Sequence, residues 1–308
     1  MPIEISLLGC SHPHIVDALG VIASEPDLRL AAAWDPSAVP GQIASHAVAD
    51  LDVAIGRADA VVVSVPTDER PGVCVRAARA GRPILVEKPL ALTAVQAREA
   101  AREIARSRTP AVAALHLREL PALHRLRSVL RAGMLGRISS ANASFVHAGA
   151  LNGALSGPRS WMQDARRAGV GGLADLGIHL LDAFAVLGGL PRLDAISLDR
   201  GPSGSPDLGG TAVGRWADVP FGMRASWVTR PAGLELTITG ARATATLRGG
   251  ALELVGDGDT RERWVGAPPD AGEALRAFAE RFRNRRLGGE QLADAIRAQE
   301  TIERAVTF

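Results

Sequence analysis

In the first third of the chain, short apolar runs alternate with amphipathic stretches. The runs 3–8, 28–34, 60–65, 83–86 and 111–117 are dense in Ile, Leu, Val and Ala and read as strands. Between them, 15–23, 72–80 and 93–106 carry apolar residues at helical spacing, and Thr93 stands as an N-cap ahead of the last of these. A period that switches this way predicts βαβ units and a parallel sheet. After a helical stretch at 123–132, Gly133 and Gly136 break the pattern. Residues 137–148, 192–200, 210–217, 221–230, 234–239 and 243–255 then read as strands joined by Gly/Pro turns. Helical patterns return only around 176–187 and over 272–306, with a break at Gly288-Gly289. Strands that follow one another without helices predict an antiparallel or mixed sheet. The chain therefore divides near Leu120 into an α/β domain, 1–119, and an α+β domain, 120–308. The Gly/Ser/Pro-rich segment 201–210 predicts a mobile loop.

Composition narrows the function classes. A chain of 308 residues has ample core for two domains. Its net charge of +2, without a basic run, argues against a nucleic-acid partner. Two cysteines, Cys10 and Cys74, make no disulfide framework and suit a reducing compartment. The amino terminus opens on a strand-like run without a basic region before it, and charged residues interrupt the apolar segments. A cytoplasmic protein with no membrane partner is expected.

One compositional detail points to chemistry. Of the 35 basic residues, only Lys88 is a lysine. Arginine replaces a solvated surface charge well. It replaces poorly a compact ammonium beside a reacting oxygen. Lys88 follows the apolar run 83–86 and precedes Pro89, which places it at the carboxyl end of a parallel strand, where open α/β sheets bind ligands.

Other candidates lie at corresponding places. The first strand leads into Gly9-Cys10-Ser11-His12-Pro13-His14, which keeps only the first glycine of a G-x-G-x-x-G dinucleotide loop. Ser11 still offers a hydroxyl and backbone N–H groups to a pyrophosphate, or serves as an ordinary N-cap. Asp35 ends the second strand, where a carboxylate accepts ribose hydroxyls and repels a 2′-phosphate. That favours NAD(H) over NADP(H), although Asp35-Pro36 is also a turn signal. Further on, Asp175, His179 and Asp182 share one helix face at i, i+4 and i+7, after the glycine run 169–172. A histidine flanked by carboxylates is a general base suited to neutral pH; a capping Asp175 and a satisfied helical His179 are the plainer alternative.

Glu87-Lys88-Pro89, the Gly-Gly-Leu-x-Asp-x-Gly-x-His-x-x-Asp segment and the loop after the first strand resemble the Gfo/Idh/MocA family of sugar and cyclitol oxidoreductases. The resemblance runs the length of the chain. It implies a Rossmann-type parallel sheet in an N-terminal NAD-binding domain. A C-terminal α+β substrate and oligomerisation domain would follow, with a large, mostly antiparallel open sheet and a homodimer or homotetramer formed through it. It also implies that Lys88 lies near nicotinamide and substrate, that His179 is the acid/base and that Asp175 holds the substrate. Gly9, Ser11, His12, His14, Asp35, Val65, Pro66, Thr67, Glu87 and Lys88 become the cofactor-binding candidates. Trp161, Asp164, Asp175 and His179 become the substrate contacts, with Trp161 and Asp164 in a segment that closes over the site. His116 and Arg118, which follow the last strand of the first domain, are candidates for substrate contact or, equally, for packing between the domains. Two departures stand out: the glycine-poor loop, and Arg70 where the family usually has a histidine.

The expected activity is hydride transfer between nicotinamide and a secondary alcohol or ketone of a small polyhydroxylated molecule: a sugar, aminosugar or cyclitol. No catalytic metal is expected. Two rivals are a non-catalytic NAD-binding regulator of the same fold and a metal-dependent hydrolase whose His12-x-His14 pair would ligate an ion. The regulator is disfavoured because Lys88 and His179 are both present. The hydrolase is disfavoured because it needs an eight-fold barrel.

Overall fold

A computed structural model describes residues 1–256 and 259–306. The chain opens with β1 (Ile3–Leu8), α1 (Ile15–Ser24), β2 (Leu28–Trp34), α2 (Leu51–Gly56) and β3 (Ala60–Val63). It continues through α3 (Arg70–Arg79), β4 (Ile84–Val86), α4 (Ala94–Arg106), β5 (Ala111–Ala113), α5 (Pro121–Arg131) and β6 (Ile138–Val146). Next come α6 (Ala165–Ala168), α7 (Gly172–Gly188), β7 (Arg192–Asp199), β8 (Gly209–Trp216) and β9 (Val219–Ser226). The last elements are β10 (Gly233–Gly240), β11 (Thr244–Arg248), β12 (Ala251–Gly256), β13 (Asp259–Val265), α8 (Glu273–Arg283) and α9 (Glu290–Val306).

These elements form two compact units. One gathers Met1–Ala114, Leu155–Gly169 and Ala271–Arg297; the other gathers Leu115–Ala154, Val170–Asp270 and the chain from Ala298 on. The sequence division near Leu120 follows chain order, whereas the compact units interleave along the chain.

The first unit is built on an open sheet of order β2-β1-β3-β4-β5, parallel throughout. Outside β2, Ala33 makes a parallel bridge to Ala47, and the N–H of Val48 donates to Ala33 O at 3.0 Å. That bridge adds the rudiment of a sixth strand, and the order becomes that of a doubly wound dinucleotide-binding sheet. Its core is continuous with the late helix α8, whose Leu275 and Phe278 pack with Ile5, Leu7, Val21 and Leu85. Thr93 caps α4 as expected: its hydroxyl accepts from the N–H of Gln96, and the Gln96 side chain accepts from the N–H of Thr93. The strand order switches from one side of β1 to the other between β2 and β3, so ligands are expected outside the carboxyl ends of β1 and β3.

The second unit carries an eight-stranded sheet, β13-β12-β11-β10-β6-β9-β8-β7, antiparallel except for β6 with β9. Alternate residues of β10 and β11 (Leu234, Leu236, Ile238, Ala245 and Leu247) are buried. Glu235, Thr237, Thr244 and Thr246 alternate with them on the opposite face. Helix α7 is buried nearly all round, as a core helix should be. Phe184 on α7 stacks edge-on against Trp216 and Phe221 at 5.1 and 4.9 Å.

Several sequence expectations need correction. The run 243–255 is two strands, β11 and β12, because Gly249-Gly250 makes a turn with Gly249 at φ +56°. Strand β5 stops at Ala113, and 116–119 winds into a 3₁₀ turn. β13 and α2 were not expected; four of the seven residues of β13 are charged, which weakens a strand signal. The stretch Ala165–Gly188 is long and apolar enough to cross a membrane, contrary to the sequence expectation, and 83% of its most apolar window is buried inside the protein. The first sheet is open and five-stranded, not the eight-fold barrel that the hydrolase alternative requires.

Candidate functional site

In a parallel sheet every strand ends on the same edge, so four loops of the first unit bring their chemistry together. Gly9 follows β1 at φ +99°, and a Cβ there would lie 2.2 Å from Val65 N in the loop after β3. Ser64 Oγ closes the approach by donating to Gly9 O at 2.6 Å. The one glycine that the loop retains is thus the one backbone packing demands. Asp35 Oδ2 accepts from the N–H of Cys10 at 2.6 Å, and Oδ1 accepts from those of Ser37 and Ala38 at 2.8 and 3.1 Å. This carboxylate therefore fixes both the turn after β2 and the loop after β1. The turn role anticipated from Asp35-Pro36 is real.

His14 occupies the third-glycine position at the start of α1. Its Nδ1 donates to Glu87 Oε1 at 3.0 Å, and its backbone N–H donates to Nδ1 of His12 at 3.2 Å. His12 Nδ1 lies 3.7 Å from the same Glu87 oxygen, and the two rings meet edge to face at 4.7 Å. Burial pushes the His12 imidazole well below its ordinary pKa, against the pull of Glu87. Burial also opposes charge on Glu87. The facing His12 and His14, together with Lys88, outweigh it and hold the carboxyl well below the usual carboxylate range. Lys88 is buried directly after Glu87, at the end of β4. Ser11 is half-buried in the loop ahead of this cluster.

Arg70 has no exposed surface. Its Nε donates to Val65 O at 2.9 Å and its Nη1 to Pro89 O at 2.7 Å, while its Cζ lies 5.5 Å from the centre of the Trp161 ring. One side chain thereby ties the loop after β3, the loop after Lys88 and the segment 157–163. A histidine could not span these partners; the planar five-donor fork can. Val65, Pro66 and Thr67 are all buried beneath this arrangement. Trp161 also lies 6.1 Å from the His12 ring, and its Nε1 is buried without a hydrogen-bond partner among the described residues. Asp164 is placed differently: partly exposed, it caps α6 by accepting from the N–H of Arg166 at 3.0 Å and pairs with the Arg166 side chain.

In the second unit, α7 starts four residues earlier than the sequence pattern indicates, so Asp175 lies inside the first turn and is not its cap. The end is closed by Asp207, whose Oδ1 accepts from the N–H of Leu173 at 2.8 Å and whose carbonyl accepts from that of Gly172 at 2.9 Å. Gly171 and Gly172 permit that approach, since Cβ atoms there would lie 2.1 Å from Asp207 Oδ2 and 2.4 Å from Leu208 O. The glycine run thus admits the Asp207-Leu208 segment of the protein itself. The last part of the 201–210 segment is packed accordingly.

His179 is buried one turn further along α7, its ring 4.4 Å from that of His116 and 6.2 Å from that of Phe145. Asp175 Oδ2 accepts from Trp227 Nε1 at 2.9 Å. Asp182 is paired with Arg118, whose Nε donates to Oδ2 at 3.0 Å and whose Nη2 donates to Oδ1. Arg118, expected as a substrate contact or a packing residue, anchors a helix carboxylate. Trp227, Phe145 and Asp207 escaped sequence reasoning because each meets its partner only through the tertiary fold. No local spacing could have flagged them.

A doubly wound sheet with these loops at its carboxyl edge defines an NAD(P)-binding oxidoreductase of Rossmann type. The oxidoreductase-family model for an NAD-binding Rossmann fold matches residues 10–114, and the GFO/IDH/MocA C-terminal domain model matches 123–246. The chain belongs to the Gfo/Idh/MocA family. It is 28% identical over 312 residues to dTDP-3,4-didehydro-2,6-dideoxy-alpha-D-glucose 3-reductase of Streptomyces violaceoruber, covering 94% of this chain and 88% of that one. A 3-ketoreductase from Actinomadura kijaniata, in complex with NADP and TDP-benzene, superposes with a TM-score of 0.83 at 20% identity over 100% of this chain and 98% of its own. Levoglucosan dehydrogenase, in complex with NADH and levoglucosan, does so at 0.81 and 17%, over 100% and 98%. These two likenesses are of fold.

Proposed function

We propose that the protein is an NAD(P)-dependent dehydrogenase or reductase that interconverts a secondary alcohol and a ketone on a sugar, aminosugar, cyclitol or nucleotide-linked sugar. The observation that carries this reading is the chain's single lysine, buried at the end of β4 among the dinucleotide loops. The names of the Streptomyces relative and of the two structural neighbours support a sugar or sugar-nucleotide substrate.

The residues present fit a dinucleotide. The carboxylate of Asp35 ends β2, the loop after β1 leads to the N-terminus of α1, and the indole N–H of Trp161 is a buried donor awaiting an oxygen. Gly9, Ser11, His12, His14, Val65, Pro66, Thr67 and Glu87 shape that cradle. The bound nicotinamide supplies the hydride acceptor or donor. In the oxidising direction His179 takes the hydroxyl proton as the carbinol carbon gives up its hydride; in reduction it returns that proton to the alkoxide oxygen. The Lys88 ammonium stabilises charge as it develops on that oxygen. Asp175, fixed by Trp227, holds a substrate hydroxyl, with His116 beside it. In this reading the protein acts in the cytoplasm as a homodimer or homotetramer joined through the eight-stranded sheet.

Asp35 makes NAD(H) the preferred cofactor, because its carboxylate repels a 2′-phosphate. Calorimetric titration with NADH and NADPH tests this. NADH should bind the unmodified protein more tightly, and Asp35→Ala should shrink the ratio of the two affinities. The ratio is the useful quantity, since loss of the bond to the Cys10 N–H loosens the loop for both ligands. Tighter binding of NADPH by the unmodified protein overturns the assignment.

A further inference from the structure

The His12, His14 and Glu87 side chains form a cluster that neither hydride transfer nor proton transfer uses. We propose that these three side chains hold a divalent transition-metal ion of the zinc class, which staples the loop after β1 to the end of β4.

Geometry carries the proposal. One donor atom from each residue lies within 4.8 Å of the other two. Glu87 Oε1 is 3.0 Å from His14 Nδ1 and 3.7 Å from His12 Nδ1. Neighbouring donors around a tetrahedral ion with bonds of about 2.0–2.1 Å stand about 3.3 Å apart. The cluster is therefore close to a ligand polyhedron before any ion arrives. The donor set, two imidazoles and one carboxylate, is one that zinc and its neighbours accept while keeping a position for water.

The second oxygen of Glu87 gives an independent indication. Oε2 is buried and has no hydrogen-bond partner among the described residues, on a residue only 6% exposed. A buried carboxylate oxygen left unsatisfied is costly, and an ion or its water accounts for it. The elements are also suitably rigid: His12 and Glu87 are buried in the loop and strand end, and His14, whose side chain is 27% exposed, leaves a way in.

Binding has a chemical cost that fixes its strength. His14 must give up its Nδ1–H bond to Glu87 and carry its ring hydrogen on Nε2, and ligation through His12 Nδ1 replaces the 3.2 Å bond from the backbone N–H of His14. The cationic Arg70 and Lys88 also bear on His12 and oppose a further cation. Affinity on the order of micromolar is therefore expected, well short of structural zinc sites. The ion takes no part in the redox step.

The test needs neither substrate nor dinucleotide, so its failure is distinguishable from failure of the oxidoreductase reading. Full-length protein, prepared without metal-affinity resin and stripped with chelator, is titrated calorimetrically with zinc and spectroscopically with cobalt(II). One equivalent should bind, with the visible bands of tetrahedral cobalt. Glu87→Gln and His14→Asn should each weaken binding at least tenfold. His14→Asn keeps a polar group at a half-exposed position, so it guards against a misfolded Glu87 variant. Absence of saturable binding, or binding that both folded variants retain, overturns the proposal.

Discussion

Cys74 has no accessible surface, and burial raises its thiol pKa from 9.0 to about 12, with Arg70 pulling weakly the other way. The sign of the consequence is fixed. Below pH 9 the thiol is protonated in both folded and unfolded chains and stability does not respond to it. Between pH 9 and about 12 the unfolded chain loses the proton first, so stability falls as pH rises. At neutral pH Cys74 should resist iodoacetamide in the folded protein and react on denaturation, as peptide mass spectrometry will report. Rapid alkylation of the native chain would contradict this burial. At the same scale, sequence reading singled out Gly9, Asp35, Lys88 and His179. It read Asp35 as a ribose or turn carboxylate and Arg118 as a substrate contact or packing residue, and the fold gives each a protein partner. The pairing of His14 with Glu87 spans 73 residues, and that of Trp227 with Asp175 spans 52. Such partners meet only through the fold.

The strands β1 and β2 were legible to the residue, because a buried parallel strand is a continuous apolar run bounded by turn residues. Legibility fell where a signal was weak or shared. β11 and β12 merged because both are apolar and only two glycines part them; α7 was read late because its first turn is glycine-rich. Arg70 shows what an element-level device adds. It begins α3 yet braces two other loops and Trp161, a role that only its geometric partners reveal. Arg70→Lys keeps the charge and loses the fork. It should lower unfolding stability by about 1.5–3 kcal/mol, the range for hydrogen bonds from a charged donor. Denaturant unfolding followed by circular dichroism measures this, and an unchanged midpoint would show that Arg70 bears no such load.

On the scale of the whole molecule, two compact units interleave along the chain, which sequence patterning could not foresee because it reads elements in order. The eight-stranded sheet presents Glu235, Thr237, Thr244 and Thr246 on the face opposite its buried residues. If oligomers form there, Thr237→Arg should shift the mass measured by light scattering toward the monomer. An oligomer of unchanged mass would point to another surface. The proposed chemistry has Lys88 and His179 act on one substrate. A double-mutant cycle in kcat, on the best substrate of a sugar and nucleotide-sugar panel followed by NADH absorbance, tests this most directly. Lys88→Arg and His179→Ala should each lower kcat on the order of 10²-fold or more while leaving NADH affinity nearly unchanged. The double variant should fall little further, because groups acting in one transition state lose most of their benefit when either is gone. Near-normal kcat in Lys88→Arg, or losses that simply multiply, would contradict the account.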